Sequence, residues 1–124
     1  MKHASIVLKS QTEISLSDIK SLIGYYREIT EKTGQQLGWE YGSSAFPYHI
    51  SEQNDKLMVL ESSERGFHQI FIGLANGEPA VIQFYLPENS AHGDKAKANE
   101  LCKFFARKLG AELHLFSGKV MRFG

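Results

Sequence analysis

Cysteine is almost missing from this chain: Cys102 stands alone, so no internal disulfide can form and no thiolate cluster is available for structural zinc. Such usage fits a reducing compartment, and a cytoplasmic location is expected. No run of about 18 apolar residues occurs, which excludes a membrane-spanning helix. The N-terminal apolar stretch, Ala4 to Leu8, is interrupted by Ser5 and ends at Lys9, too short for the core of a signal peptide. Net charge is lacking as well. The 14 basic and 14 acidic side chains cancel, so no whole-molecule field draws the protein to nucleic acid or to a membrane surface. Repeats, low-complexity tracts and linkers are absent too. At 124 residues the expectation is one domain, 1–124. A chain of this size buries about two-thirds of its unfolded surface without metal or disulfide support.

The residues that are present divide the chain into alternating elements. "HASIVLK" (3–9) has the β-branched content of a first strand. Ser15-Leu16-Ser17-Asp18 matches a capping box, and Ile14 with Ile19 matches a hydrophobic staple, so a helix is predicted from Ser15 to a left-handed stop at Gly34. Ile19, Leu22, Ile23, Tyr26, Ile29, Thr30 and Thr33 share its apolar face. Turn signals at Asn54-Asp55, Ser63 to Gly66 and Asn76-Gly77 then cut an apolar region into strands near 48–53, 56–62, 67–75 and 79–86. A two-residue type I′ turn at Asn76-Gly77 would pair Ile72 with Val81 and His68 with Tyr85. The resulting hairpin is apolar on both sides, which calls for cover on both faces. A second helix is predicted over 92–110, with Asp94 as N-cap and Gly110 as stop. "AELHLF" and "KVMRF" close the chain as a hairpin around Ser117-Gly118. The fold class is α+β, a largely antiparallel sheet with two helices in the order β-α-β-β-β-β-α-β-β. Its start resembles the element order of the TATA-binding-protein-like fold, an analogy that carries no function.

Chemistry-bearing groups are sparse. His3, His49, His68, His92 and His114 lie singly, with no spacing that pairs metal ligands, so neither a metal nor another cofactor is expected. Cys102 beside His114 would make a nucleophile, but its place on the helix's apolar edge reads as core. "HGDKAK" puts His92, Lys95 and Lys97 at a helix start, where anions are attracted; Asp94 competes for the same amides. Charge is uneven along the chain: residues 92–124 carry 7 basic side chains against 3 acidic. A nucleic-acid contact through Lys95, Lys97, Lys103, Arg107 and Lys108 is therefore a conceivable but disfavoured reading. Phe104, projecting among Lys97, Glu100 and Lys108, is a candidate interface residue. Trp39, Tyr41, Tyr48, His68 and Tyr85 are candidates to line a small-ligand pocket. In "GWEYGSSAFPYH" (38–49), packing of Trp39 and Phe46 against the sheet is favoured over an open binding loop.

Three stretches, "TEKTGQQLGWEY" with "AFPYHI", "HGDKAKANELCKFFARKL" and "GAELHLFSGKVMRF", resemble a family of short, functionally uncharacterised proteins from Bacillus-type bacteria. The resemblance spans essentially the whole chain and implies a stand-alone cytosolic bacterial domain, without an activity or site residue to carry over. The favoured reading is a non-enzymatic binding or interaction protein forming a homodimer through apolar sheet or helix surface. A small-ligand protein or enzyme with the pocket named above is the alternative.

Overall fold

A computed structural model describes residues 2–9, 11–37 and 46–123. The elements are β1 (Lys2–Val7), α1 (Leu16–Leu37), β2 (His49–Glu52), β3 (Leu57–Glu61), β4 (Gln69–Ala75), β5 (Val81–Leu86), α2 (His92–Leu109), β6 (Glu112–His114) and β7 (Val120–Arg122). The order is the expected one. All seven strands join one sheet, arranged β2-β3-β4-β5-β1-β6-β7, and every neighbouring pair is antiparallel. β1 thus inserts between β5 and β6, so the first strand of the chain ties the meander to the C-terminal hairpin.

Local chemistry sets the helix ends. The Asp18 amide donates to Ser15 Oγ at 3.2 Å while the Ser15 amide donates to Asp18 Oδ2 at 3.0 Å, the reciprocal box the sequence announces. Ile14 and Ile19, the staple pair, are both buried. At the other end α1 passes through Gly34 and stops at Leu37. A glycine inside a helix costs only about 1 kcal/mol, and Gln35, Gln36 and Leu37 after it are good helix formers. For α2, Asp94 is not the N-cap, as expected from sequence, but the third helical residue: Ala91 holds the cap position and donates its amide to Asp94 Oδ2 at 2.9 Å. Gly110 ends α2 in the left-handed conformation, φ 59 and ψ 42.

The hairpin β4–β5 departs from the expected register. Ala75 pairs with Val81, Leu74 with Ile82 and Ile72 with Phe84, leaving five residues, 76–80, in the connection. Gly77 does not take a positive φ, so no type I′ turn forms. The reason lies in the segment before α1. Asn76 Oδ1 accepts the Ile14 amide at 3.0 Å, Gly77 donates to the Thr12 carbonyl at 3.0 Å, and Ala80 donates to that of Gln11 at 2.9 Å. The Asn76 side chain is thus occupied in docking a distant segment.

This register sorts the residues by face. Ile70, Ile72, Leu74, Ile82, Phe84 and Leu86 fall on one side with Ala4, Ile6, Met58, Leu60 and Leu113, and all are buried. Both helices lie over that side: Phe105 of α2 meets Phe84 at 5.6 Å, Lys20 of α1 reaches Glu52 of β2 at 3.0 Å, and Tyr26 packs edge-on to Phe104 between the helices. The opposite side carries His3, Ser5, Val7, Phe71, Gly73, Val81, Gln83 and Tyr85, which are half-buried or, like His3, exposed, and also Val59, which is buried. The expected two-sided cover is therefore not met by the described elements, because the helices share one face.

If Asn76 serves as an acceptor and not as a turn former, Asn76→Gly, an ideal substitution for a type I′ turn, leaves the part-buried Ile14 amide without this partner. It is expected to destabilise by about 1–3 kcal/mol in urea unfolding, while Asn76→Asp stays close to wild type.

Candidate functional site

Asp94 organises the most polar part of the interior. Its carboxylate is fully buried and accepts the Tyr48 hydroxyl at 2.7 Å, the His68 amide at 2.9 Å, the Gln69 amide at 3.3 Å and the Ala91 amide at 2.9 Å. Every partner donates, so the charge is held by hydrogen bonds from three separate parts of the chain. Burial, and then the Asp94 carboxylate, push the Tyr48 phenol well above its ordinary value, so it stays protonated and bound. Phe46 and Phe67 flank Tyr48 edge-on at 5.5 and 5.8 Å. The cluster is a closed lock of donors around one carboxylate. Gly93 belongs to it as well: a Cβ there would lie against the Gly66 carbonyl and 2.6 Å from the Phe67 ring.

A second polar cluster joins the helices. Lys97, nearly buried, donates to Tyr26 Oη at 2.7 Å and lies 3.4 Å from Glu100, while the Tyr26 hydroxyl bonds Glu100. Lys97, expected beside His92 and Lys95 at an anion site, therefore points away from that end. Phe104 is likewise engaged: Tyr25 stacks on it at 5.9 Å, Tyr26 meets it edge-on at 5.5 Å, and Lys108 sits over the Tyr25 ring at 4.2 Å. The aromatic among cations is a contact between α1 and α2.

Of the five residues expected to line a ligand pocket, the three described ones, Tyr48, His68 and Tyr85, do not come together. Tyr48 is committed to Asp94; the His68 ring contacts Asn89 at 2.9 Å; Tyr85 lies on the opposite sheet face, its hydroxyl bonded to Gln83. Trp39 and Tyr41 lie outside the described residues, and Phe46, from the same aromatic loop, is buried. Cys102 is fully buried, and burial raises its pKa far above the ordinary thiol value, which removes the thiolate that nucleophilic chemistry needs. Among the described residues no three His, Cys, Asp or Glu side chains are grouped to hold a metal ion.

Open concavities lie elsewhere. One of about 810 Å³, at the start of α2, is lined by Lys2, Gly66, Phe67, Leu86, Pro87, Glu88, His92 and Lys95. A neighbour of about 320 Å³ shares Lys2 and Lys95 and adds Asn99, Lys103, Leu115 and Phe116. Sequence reasoning named His92 and Lys95 as an anion site and Lys103 as part of a basic helix, but missed Lys2. The i, i+4, i+8 spacing of Lys95, Asn99 and Lys103 places the three on one flank of α2. A third hollow, about 560 Å³, opens on the uncovered sheet face beside His3, Ser5, Gln83 and His114.

Two helices on one side of a seven-stranded antiparallel sheet, closed polar locks beneath them and an opposite face that no described element covers define a two-layer α+β protein. The chain belongs to the family described as a domain of unknown function (DUF1885), which matches residues 2–124. It is similar to a solved structure, a protein of unknown function from Bacillus stearothermophilus, at 40% identity over 93% of each chain with a TM-score of 0.65. No curated protein matches the chain. No described helix is long and apolar enough to cross a membrane.

Two outcomes follow from these locks. Gly93→Ala drives a methyl into Gly66 and Phe67, and a loss of about 1–3 kcal/mol in chemical unfolding is expected. The second concerns alkaline pH. Cys102 and Tyr48 are acids raised from ordinary values of 9.0 and 10.0, so the folded state holds their protons more tightly. Their stabilisation is complete below those values and is lost as pH rises beyond them. The urea midpoint should fall from about pH 9 upward, and in Cys102→Ala the fall should begin about one unit higher; identical profiles would contradict the assignment.

Proposed function

We propose that residues 1–124 act as one α+β domain and that this domain is a non-enzymatic binding module, whose working surface is the uncovered face of the sheet and whose occupant there is a second copy of the chain. The observation that carries this reading is the sorting of the central strands. Phe71, Val81, Tyr85 and Val7 form a half-buried band with no described element over them, while both helices lie over the other face. Apolar area left on a central part of a sheet gains about 25 cal/mol per Å² once covered. A self-complementary twofold contact is the simplest cover, because the same patch serves both partners.

Charge supports the choice of occupant. The chain is net neutral, so two copies meet without overall repulsion, and on the face's β7 edge Arg122 is already paired with Glu112 at 3.1 Å, so that edge adds no net charge. The burial of Cys102 and the closed state of the Tyr48–Asp94 pair favour binding over catalysis. The lone unpaired thiol fits a cytoplasmic protein.

Sedimentation velocity at about 50 µM, a range in which modest protein affinities register, should give a dimer. Val81→Lys and Val7→Lys, each placing a charge on the uncovered face, should give monomers with wild-type melting. A wild-type monomer at that concentration would sink the dimer.

A further inference from the structure

The two concavities at the start of α2 are one groove. Lys2 and Lys95 line both, and the hollows, about 810 and about 320 Å³, therefore meet along those two side chains. Four basic side chains border the groove: His92 at one end, Lys2 and Lys95 at the junction, Lys103 at the other end. All four are exposed, and none makes an ion pair among the described residues. Among the described residues Glu88 is the sole acid lining either hollow. Cations gathered in a concave, partly apolar place raise the local concentration of anions far more than the same charges on a convex surface. The walls are apolar: Phe67, Leu86 and Pro87 in the larger hollow, Leu115 and Phe116 in the smaller.

From this arrangement we infer that the groove binds a small organic phosphate, with the charge held between Lys2 and Lys95 and the apolar body seated against Phe67, Leu86 and Pro87. The larger hollow has the volume of a small-ligand site, roughly 300–1,000 Å³. Three ammonium groups and an imidazole suit a multivalent anion better than a single carboxylate, since ammonium groups act as point charges on phosphate oxygens. The helix dipole is not what carries the site. The Gly93 and Asp94 amides already donate to the carbonyls of Gly66 and Ala91, so recognition falls to side chains.

The same geometry argues against a long polyanion. Beyond Lys103 the cations of α2 turn away: Arg107 lies over the Phe123 ring at 5.6 Å and Lys108 over Tyr25 at 4.2 Å. Lys97 is tied to Tyr26 and Glu100. The basic track therefore ends where the groove ends, at ligand size.

Calorimetric titration of the wild-type protein with adenosine triphosphate, adenosine and inorganic triphosphate tests this. Adenosine triphosphate should bind with Kd below about 1 mM, at least tenfold tighter than either fragment, and should weaken as salt rises from about 50 to 250 mM. Lys2→Gln with Lys95→Gln should lose about tenfold or more in affinity with unchanged melting, while Lys56→Gln, on the far sheet edge, should bind as wild type. Three results would overturn the proposal. These are no heat up to about 5 mM, inorganic triphosphate as tight as the nucleotide, or a single-stranded oligonucleotide binding more tightly than the nucleotide.

Discussion

The buried carboxylate of Asp94 is the constraint on which the rest of the fold depends. A charge taken out of water is stable only if its lone pairs are filled by well-placed donors, and here the donors come from β4, from the segment before α2 and from Tyr48 ahead of β2. Each donor is an element boundary. The chain entering β2, the chain entering β4 and the first turn of α2 are fixed relative to one another by a single side chain. Gly93 reports the tightness of that convergence, because even a methyl group there would overlap Gly66 and Phe67. Removing Asp94 would leave the buried Tyr48 hydroxyl and three part-buried amides unmet at once, a cost that spreads over three elements.

Much of the fold was legible because its signals are local. The Ser15–Asp18 box, the Ile14–Ile19 staple and the Gly110 stop involve residues within a few positions of one another, and each operates as its spacing indicates. The alternation of β4 and β5 was also readable, but its register was not. Asn76-Gly77 carries a strong turn signal, yet the Asn76 side chain accepts the Ile14 amide, 62 positions away. A long-range acceptor role overrode local turn preference, and the three-residue difference in pairing turned an apparently two-sided hairpin into a one-sided sheet.

The candidate site was less legible, since it depends on which way long side chains turn. On a helical wheel Lys95 and Lys97 are equally cationic. In the fold one borders an open groove and the other is nearly buried against Tyr26. Phe104 posed the same ambiguity. Its neighbours Lys97, Glu100 and Lys108 looked like a solvated rim, but Tyr25 and Tyr26 of α1 arrive from 70-odd positions away in sequence and convert that rim into an interhelical contact. Lys2 and Leu115 join the groove through strand order alone: β1 lies between β5 and β6, which brings the first and last parts of the chain beside the start of α2.

Layer widths account for where the open surfaces fall. Seven strands about 4.8 Å apart make a sheet roughly 29 Å across, whereas two helices packed about 10 Å apart cover roughly 20 Å of it. One face therefore cannot be covered fully, and the other receives no helix among the described residues. On the helix side the shortfall is made up at the margins by half-buried groups such as Ile50, Leu115, Phe116 and Met121, pressed against the core without being enclosed by it. Leu115 and Phe116 sit where α2 gives out, and the stripe of Lys95, Asn99 and Lys103 runs down the flank of α2 that faces them. A basic groove arises there because a helix edge, with its polar stripe, borders sheet that the helix does not reach. The uncovered face has the same origin. Two helices are enough to bury one set of alternating residues, and the residues of opposite parity, Phe71, Val81 and Tyr85 among them, are left to find their cover outside the described elements.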